Sequence, residues 1–385
     1  MKLAFQLAYK NLLGAGLRTW LNSGVLSFAF VLIIFYNGLI DGWNKQASID
    51  GVNWAYGNGN LVNGKYDPFD PFSLQDGHGI LPEKLQKNLT PILIQQATIY
   101  PQGRMLPVQL KGIDVNQKVI KLPTRILKNS SADFPVIIGT AMAASANLKV
   151  GDEVLLRWRD KNGTFDAGNA TVAGIFRTNV PFVDGGQIWM PIEKLWEMTG
   201  LTGHATLFIA NDNYVAKNIQ GWNFQSREYL LRELTKIIGM KKVSGSIIYL
   251  LLLSLGLLSI FDTQVLSIFR RQKEIGTYIA LGMTRWQVVG LFTAEGGMYS
   301  IFATVLGFIY GIPLLGLLAH YGLGMPVSSG QAGLIMADHI YPVYGAFLIF
   351  GTMALVIISA TIVSFLPARK IAKMNPVEAL KGKLQ

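Results

Sequence analysis

The sequence predicts a membrane protein with four transmembrane α-helices and a large α+β extracytoplasmic domain inserted between helices 1 and 2. Three observations lead to this fold class. Only 15% of the 385 residues are charged and 50% are hydrophobic, whereas an average soluble domain is roughly 25% charged. Four long stretches carry almost no charge, and basic residues cluster in the short segments beside them.

The four apolar stretches are each long enough to span a bilayer. Residues 19–40, 296–319 and 340–366 contain no charged side chain, and residues 244–269 contain only Asp262. A hydrocarbon core about 30 Å thick requires roughly 20 apolar residues in a helix. We therefore predict four membrane spans.

The first apolar stretch could instead be a secretory signal, because a short basic segment precedes it. A cleaved signal has an apolar region of roughly 7–15 residues followed by a small-x-small site. The stretch here is longer and leads to Trp43, a residue type that favours the membrane interface. We interpret it as an uncleaved signal anchor.

The distribution of lysine and arginine predicts the orientation. Three basic residues lie in 1–18, four in 270–285 and five in 367–385, whereas 320–339 has none. Short segments rich in Lys and Arg stay in the cytoplasm. We therefore expect both termini to be cytoplasmic and the long segment between the first two spans to lie outside.

The long segment has the composition and patterning of a soluble domain, with 22 basic and 18 acidic residues. Strands are predicted at 154–158 and 170–176, joined by a turn that contains Asn162 and Gly163, a dipeptide favoured in hairpins. Helical patterns occupy 141–148, 191–199 and 225–240. The domain is therefore predicted to be α+β.

These observations predict nine consecutive segments. In chain order they are a cytoplasmic N-terminal segment (1–18), span 1 (19–40), the extracytoplasmic domain (41–242), span 2 (243–269), a cytoplasmic segment (270–290), span 3 (291–319), a short outer loop (320–339), span 4 (340–366) and a cytoplasmic tail (367–385).

The sequence has none of the common catalytic or metal-binding patterns. It contains no Cys, its four His are widely scattered, and neither a P-loop nor a Gly-x-Ser-x-Gly elbow occurs. We expect no catalytic residue, bound metal or bound cofactor, and no enzymatic activity. The net charge of +11 could suit nucleic acid, but basic residues beside the predicted spans account for much of it, so we expect no nucleic-acid partner.

Three motifs carry a resemblance to a known family. Residues 269–296 read FRRQKEIGTYIALGMTRWQVVGLFTAEG, residues 367–380 read PARKIAKMNPVEAL, and LAYKNLL at 7–13 precedes LRT at 17–19. Their patterns and order resemble the MacB/FtsX-type (type VII) ABC transporter permeases. Met283 and Asn375 stand where that family usually has Ala and Asp. The size of the outer domain and the absence of a P-loop resemble most the layout of the lipoprotein-releasing Lol permeases, with their MacB-like periplasmic domain.

The resemblance implies a coupling helix that docks on a cytoplasmic ATPase. Its residues correspond here to Glu274, Ile275, Gly276, Ala280, Leu281, Gly282 and Arg285. The alternative is a plain cytoplasmic turn with orienting charges. The implied partners are a dimer of ABC ATPase subunits, which bind ATP and Mg, a second permease copy or paralogue, membrane lipids, and a periplasmic carrier or adaptor.

Other residues are open to two interpretations. Asp262, Arg270, Arg271 and Glu295 are charges at the membrane edge that could pair with one another or serve transport. The family motif at the C-terminus comprises Pro367, Ala368, Arg369, Pro376, Val377, Glu378 and Ala379. Small residues at 307, 311 and 316 suit close helix packing. The aromatic residues of the outer domain form either its core or a binding surface.

The resemblance further implies the task. A permease subunit of the bacterial inner membrane would couple ATP hydrolysis by a separate ATPase to movement of the periplasmic domains, with lipoprotein release as the expected function. Efflux of drugs or peptides and FtsX-like regulation of cell-wall hydrolases are the alternatives.

Overall fold

The computed structural model describes residues 17–324, 335 and 337–373. The chain divides into two compact units. The helical unit comprises the described residues of 1–43, 238–323 and 341–385. The sheet-rich unit comprises 44–237 and the described residues of 324–340.

The α-helices of the described residues include four that are long and apolar enough to cross a membrane, with mean hydropathies of 2.0, 2.2, 2.2 and 2.5. These four are α1, α6, α8 and α9. In chain order the helices are α1 (Leu17–Gly51), α2 (Arg125–Asn129), α3 (Thr140–Ala146), α4 (Pro181–Asp184), α5 (Ile192–Thr199), α6 (Arg227–Arg270), α7 (Gln272–Ala280), α8 (Arg285–Tyr321) and α9 (Ala346–Ala368).

The long helices differ from the predicted spans mainly at their ends. α1 continues to Gly51 and α6 begins at Arg227, so both extend well beyond the apolar stretches. α9 begins at Ala346 rather than at residue 340. Gly345 is the N-cap of this helix and has extended backbone geometry, and Pro342 disfavours helical geometry at Tyr341 before it.

The core of the helical unit combines apolar packing with a few polar contacts. Leu26 and Phe30 of α1 are fully buried in a cluster with Ile260 of α6 and Ala303 of α8. Asn22 bridges α1 and α6, since its Nδ2 donates to Thr263 Oγ1 at 2.7 Å and its Oδ1 accepts from Ser259 Oγ at 2.7 Å. Polar bonds of this kind add to helix association in membranes.

Two of the three small residues proposed for close packing make such contacts. A Cβ atom at Gly307 would lie 2.7 Å from the Phe30 ring, and one at Gly311 would lie 2.9 Å from Val31. Gly316 has no neighbour within 4 Å of such a Cβ atom. The packing interpretation therefore holds for the first two positions only.

Most strands belong to one nine-stranded sheet of order β11-β1-β10-β3-β4-β8-β5-β7-β6. An additional β3–β6 pairing closes six of them into a barrel. The strands are β1 (Gly59–Asn63), β2 (Gly79–Ile80), β3 (Leu89–Ile99), β4 (Leu106–Ile113), β5 (Pro135–Gly139), β6 (Glu153–Arg159), β7 (Phe165–Phe176), β8 (Gln187–Pro191), β9 (His204–Ala205), β10 (Leu207–Ala210), β11 (Trp222–Ser226), β12 (Leu323–Gly324) and β13 (His339–Ile340).

The barrel encloses an apolar core. Residues of β6 alternate, with Val154, Leu156 and Trp158 buried and their neighbours exposed, as expected for a strand with one face in the core. The predicted hairpin is present, because β6 and β7 pair antiparallel from Glu153↔Thr171 to Arg159↔Phe165. Its loop has five residues, 160–164, rather than a two-residue turn.

The predicted helices of the outer domain correspond to α3, α5 and the first part of α6. The prominent aromatic residues lie mainly inside. Trp158, Trp189 and Trp222 are buried, and Trp54, Tyr56 and Trp196 are partly buried. The core interpretation therefore fits these six residues better than an exposed binding surface.

A histidine pair joins the segment before β2 to β9. The Nδ1 atoms of His78 and His204 lie 2.9 Å apart, and Ile80 pairs with His204 in the two-stranded sheet. Burial lowers the pKa of both side chains from the ordinary value of 6.5. The neighbouring His204 lowers the pKa of His78 further and Asp76 opposes this, while Lys161 lowers the pKa of His204. Both imidazoles therefore favour the neutral form.

Acidification is expected to loosen this histidine pair. A histidine with a lowered pKa in the folded state contributes stability that is complete above the unfolded value of 6.5 and is lost as the pH falls below it. The protection factors of residues 64–88 against hydrogen exchange, which are corrected for the intrinsic pH dependence of amide exchange, should fall severalfold between neutral pH and about pH 5. His204→Gln should weaken this pH dependence, whereas His339→Gln should leave it intact. An unchanged dependence in His204→Gln would contradict the assignment.

Candidate functional site

The segment between α6 and α8 folds as a short helix with defined ends. The backbone leaves helical geometry at Arg271, and α7 follows from Gln272 to Ala280. Gly282 then adopts φ +98°, a left-handed conformation that favours glycine. Thr284 caps α8 through a capping box with Gln287. We call residues 271–284 the α7 connection.

An apolar cluster anchors the α7 connection to α8 and to the end of α9. Ile275 is fully buried and packs with Val288 and Phe292 of α8, and with Ala368 and Ile371 near the chain's C-terminal end. Burying a side chain of this size contributes roughly 1.5–3 kcal/mol. The short helix is therefore held by its own core.

Arg271 ties the connection to α8 by charge. Its Nη1 donates to Glu295 Oε2 at 2.8 Å and Oε1 at 3.0 Å, and its Nε donates to Glu274 Oε2 at 2.7 Å. The exposed fractions of these side chains are 18% for Arg271, 8% for Glu295 and 54% for Glu274. The guanidinium also lies 4.9 Å from the Phe292 ring centroid. The Arg271–Glu295 pair is thus largely shielded from solvent.

The end of the connection and the start of α8 are exposed and apolar. Leu281 is 79% exposed and Trp286 is 65% exposed. Ala280 and Gly282, the small residues beside them, are also exposed. Small side chains allow close approach of a partner, and exposed apolar residues suit a buried contact. We call these four residues the exposed tip.

The structure divides the predicted coupling residues between two environments. Glu274, Ala280, Leu281, Gly282 and Arg285 are exposed, whereas Ile275 and Gly276 are buried. The two buried residues therefore support the helix from within.

Arg285 and Trp286 lie at the start of α8, and both are exposed. Arg285 Nη1 donates to the Ala372 carbonyl at 3.2 Å and so links α8 to the C-terminal segment. Trp286 was not among the predicted coupling residues. The feature that could have identified it in the sequence is a large aromatic residue directly after the basic segment 270–285.

The remaining membrane-edge charges behave differently from Arg271 and Glu295. Asp262 and Arg270 are both exposed on α6. Among residues whose positions are described, neither makes an ion pair. The pairing alternative therefore applies to Arg271 and Glu295.

The C-terminal motif is described only in its first part. Pro367 and Ala368 are buried, and Ala368 belongs to the cluster around Ile275. Arg369 is exposed at the end of α9. Pro376, Val377, Glu378 and Ala379, like the N-terminal motif at 7–13, lie outside the described residues.

No group of three or more potential metal ligands occurs in the ranges 17–324 and 337–373 or at residue 335. The α7 connection carries exposed apolar and charged side chains instead. Its geometry suits recognition of a partner protein. Together with the four apolar helices, it is typical of a multi-pass membrane protein that works with a partner.

Comparison with known proteins shows which permeases this chain is similar to. Residues 246–376 match the family of FtsX-like permease C-terminal domains. The chain is 24% identical over 323 residues to the lipoprotein-releasing system transmembrane protein LolC of Xylella fastidiosa, covering 75% of this chain and 76% of that protein. It is 21% identical over 387 residues to LolC of Haemophilus influenzae, covering 93% and 90%.

A shorter similarity extends to an exporter. The chain is 29% identical over 136 residues to the macrolide export ATP-binding/permease protein MacB of Marinobacter nauticus, covering 35% of this chain and 18% of that protein. Together the matches support a Lol/MacB-like type VII ABC transporter permease and confirm the prediction made from the motifs. The apolar helices and these relatives point to a multi-pass protein of the bacterial inner membrane.

Proposed function

We propose that this chain is the permease subunit of an ABC transporter complex and that the exposed tip docks on a separate cytoplasmic ATPase. The observation that carries the proposal is the contrast within the α7 connection. Ile275 is fully buried, while Leu281 nearby is 79% exposed. A firmly anchored helix with an apolar tip can receive force from a partner and transmit it to α8.

The transmission path follows from the contacts of the connection. Ile275 packs on Val288 and Phe292, and Arg271 binds Glu295, so a push on α7 reaches α8 at two points. Ala368 of α9 belongs to the same cluster, so a force on α7 would also reach α9. Because packed elements move as units, the membrane helices would transfer the movement to the outer domain.

In this proposal the four spans place both termini in the cytoplasm and the sheet-rich unit in the periplasm, inserted between helices 1 and 2. The ATPase partner forms a dimer that binds ATP and Mg, and a second permease copy or paralogue completes the membrane part. The chain itself contributes no catalytic group. The basic segments beside the apolar helices support this orientation.

Lipoprotein release from the inner membrane is the proposed task. It is supported by similarity to two proteins named as LolC over most of their length. A periplasmic carrier would then receive the lipoprotein. Efflux is a second candidate, supported by the similarity to the macrolide exporter permease, and it would require a periplasmic adaptor. FtsX-like regulation of a cell-wall hydrolase is a third, supported by the match at 246–376.

Purification from native membranes with identification of bound proteins tests the task. Recovery of an ATPase together with acylated lipoproteins would support lipoprotein release. An adaptor or a cell-wall hydrolase in their place would favour efflux or regulation. Failure to recover any ATPase under gentle conditions would contradict the proposal.

Leu281→Asp tests the docking site directly. We expect it to weaken ATPase binding about tenfold or more and to reduce permease-stimulated ATP hydrolysis, because a charge replaces an apolar contact at the interface centre. Leu281 is preferable to Gly282, since a side chain at φ +98° would strain the backbone. Pull-down of the ATPase and its hydrolysis rate measure the effect.

Val215→Asp is the matched control for this experiment. Val215 is 73% exposed in the sheet-rich unit, so the same apolar-to-acidic change there should leave both readouts unchanged. Equal behaviour of Leu281→Asp and the wild type would exclude the exposed tip as the docking site.

A further inference from the structure

The outer face of the barrel has an open cavity with a volume of about 610 Å³, and the proposed coupling mechanism does not involve it. Arg157 and Arg159 of β6 line it together with Gln96 and Gln109 of β3 and β4. Gln187 of β8 also contributes to its wall. We infer that this cavity binds a ligand that carries a phosphate group next to a hydroxyl group.

Strand register brings these polar side chains together on one face. Arg157 pairs with Thr98, Gln96 pairs with Gln109, and Gln109 pairs with Gln187. Alternate residues share one face of a sheet, and the intervening residues Ala97, Val108, Trp158 and Ile188 belong to the barrel core. The row therefore crosses four adjacent strands on the outside of the barrel.

The two arginines point to an anion. Their guanidinium carbons lie 3.9 and 4.4 Å from the centroid of the same Phe165 ring, so both cations stand beside one aromatic side chain that lines the cavity. Neither makes an ion pair with any carboxylate in the described part of the chain. A phosphate in the cavity would accept charge-assisted hydrogen bonds from these guanidinium groups.

Three acidic residues adjoin lining residues in the sequence, Asp160, Asp166 and Asp184, and each accepts a backbone hydrogen bond. Asp160 accepts hydrogen bonds from the backbone N–H groups of Asn162 and Thr164 within its own loop. Asp184 accepts from Thr140 Oγ1 and the Ala141 N–H. No Asp or Glu is among the described residues that line the cavity. The cavity is therefore positive.

Gln187 supplies the second and independent observation. Its residue is only 6% exposed, and its Oε1 atom has no hydrogen-bond partner among the described residues. An unpaired buried acceptor is costly and is expected to find a donor. A ligand hydroxyl would provide that donor, while Phe165 and Phe182 offer apolar contact beside it. A glycerol phosphate headgroup combines these properties.

Calorimetric titration of the full-length protein in detergent tests this inference. Glycerol 3-phosphate should bind saturably, and the double variant Arg157→Gln/Arg159→Gln should bind it about tenfold or more weakly, because both charged hydrogen-bond donors are lost. Arg104→Gln removes one exposed charge of the same unit outside the cavity and should bind normally. Gln187→Leu should weaken glycerol 3-phosphate more than inorganic phosphate.

A second titration distinguishes the two sources of the phosphate. Tighter binding of monomeric dihexanoyl phosphatidylglycerol than of glycerol 3-phosphate would identify a lipid headgroup, and equal affinities would identify a free phosphate ester. The absence of saturable binding of all three probes at millimolar concentrations would overturn the inference. Equal affinity of the double arginine variant and the wild type would overturn it as well.

Discussion

Glu295→Ala is expected to lower the unfolding free energy of the detergent-solubilised protein by about 3 kcal/mol, as measured by titration with sodium dodecyl sulfate. Removing one partner of a buried ion pair typically costs about 3–5 kcal/mol, because the remaining charge stays buried without compensation. We expect the lower end of that range, since Arg271 keeps its bond to Glu274. The same variant should lose permease-stimulated ATP hydrolysis, because α7 would no longer be tied to α8 by charge.

Glu274→Ala provides a control on the same arginine. Both carboxylates bind Arg271, but Glu274 is 54% exposed and Glu295 only 8%. An exposed ion pair contributes about 0–1 kcal/mol, so Glu274→Ala should have a small effect on unfolding. Similar losses for the two variants would mean that burial does not govern the strength of this pair.

Replacing both charges separates ionic from apolar stabilisation. The double variant Arg271→Met/Glu295→Leu should recover most of the stability lost in Glu295→Ala, because apolar residues of similar volume can replace a buried ion pair. It should regain stability without regaining full ATPase stimulation if the ion pair also positions α7. Recovery of neither property would show that the ionic contact itself, rather than the volume of the two side chains, is required at this position.

The apolar helices could be predicted well because composition and length alone define them. An uncharged stretch of about 20 residues has few options other than a membrane span. The ends of these helices were harder to predict from the sequence. The helical pattern at 225–240 and the apolar stretch after it form one continuous helix, Arg227–Arg270, as the sequence indicated. The continuation of α1 to Gly51 was not predicted.

The α7 connection shows the same limit at the level of the site. The motif at 269–296 predicted where the connection lies in the chain, but it does not indicate which of its residues are buried. Ile275 and Gly276 are buried, a result of packing against residues far along the chain such as Ile371. Arg271 binds Glu295, which lies 24 residues further along the chain on α8. The spacing of residues in the sequence does not predict such a pair.

The sheet-rich unit was predictable in class but not in topology. Alternation in β6 and the Asn162-Gly163 turn predicted a hairpin that the structure contains. The closure of the barrel depends on β3 pairing with β6 across some 60 residues. The cavity beside Arg157 exists only because of that closure, so the sequence carried no sign of it.

Gly296→Ser is expected to destabilise the helical unit by about 3 kcal/mol, near the upper part of the range for overpacked cores. A Cβ atom at this position would overlap the Ser364 side chain of α9 and lie 2.9 Å from Gln264 Nε2 of α6. Three helices thus meet at a residue that must lack a side chain. Gly290→Ser tests a glycine of the same helix with no neighbour within 4 Å and should have little effect on unfolding.

The exchanged pair Gly296→Ser/Ser364→Gly should recover much of the loss, because it moves one side chain to the opposite helix and keeps the total volume. Residues in contact show interaction energies of about 0.5–3 kcal/mol in double-mutant cycles, so the coupling between positions 296 and 364 should be large and favourable. Additive effects of the two substitutions would contradict direct contact. With Glu295 binding Arg271 and Gly296 admitting Ser364, two adjacent residues of α8 hold α7 and α9 at once. This position therefore joins the docking helix to the membrane bundle, and loss of either residue should uncouple ATP hydrolysis from movement of the helices.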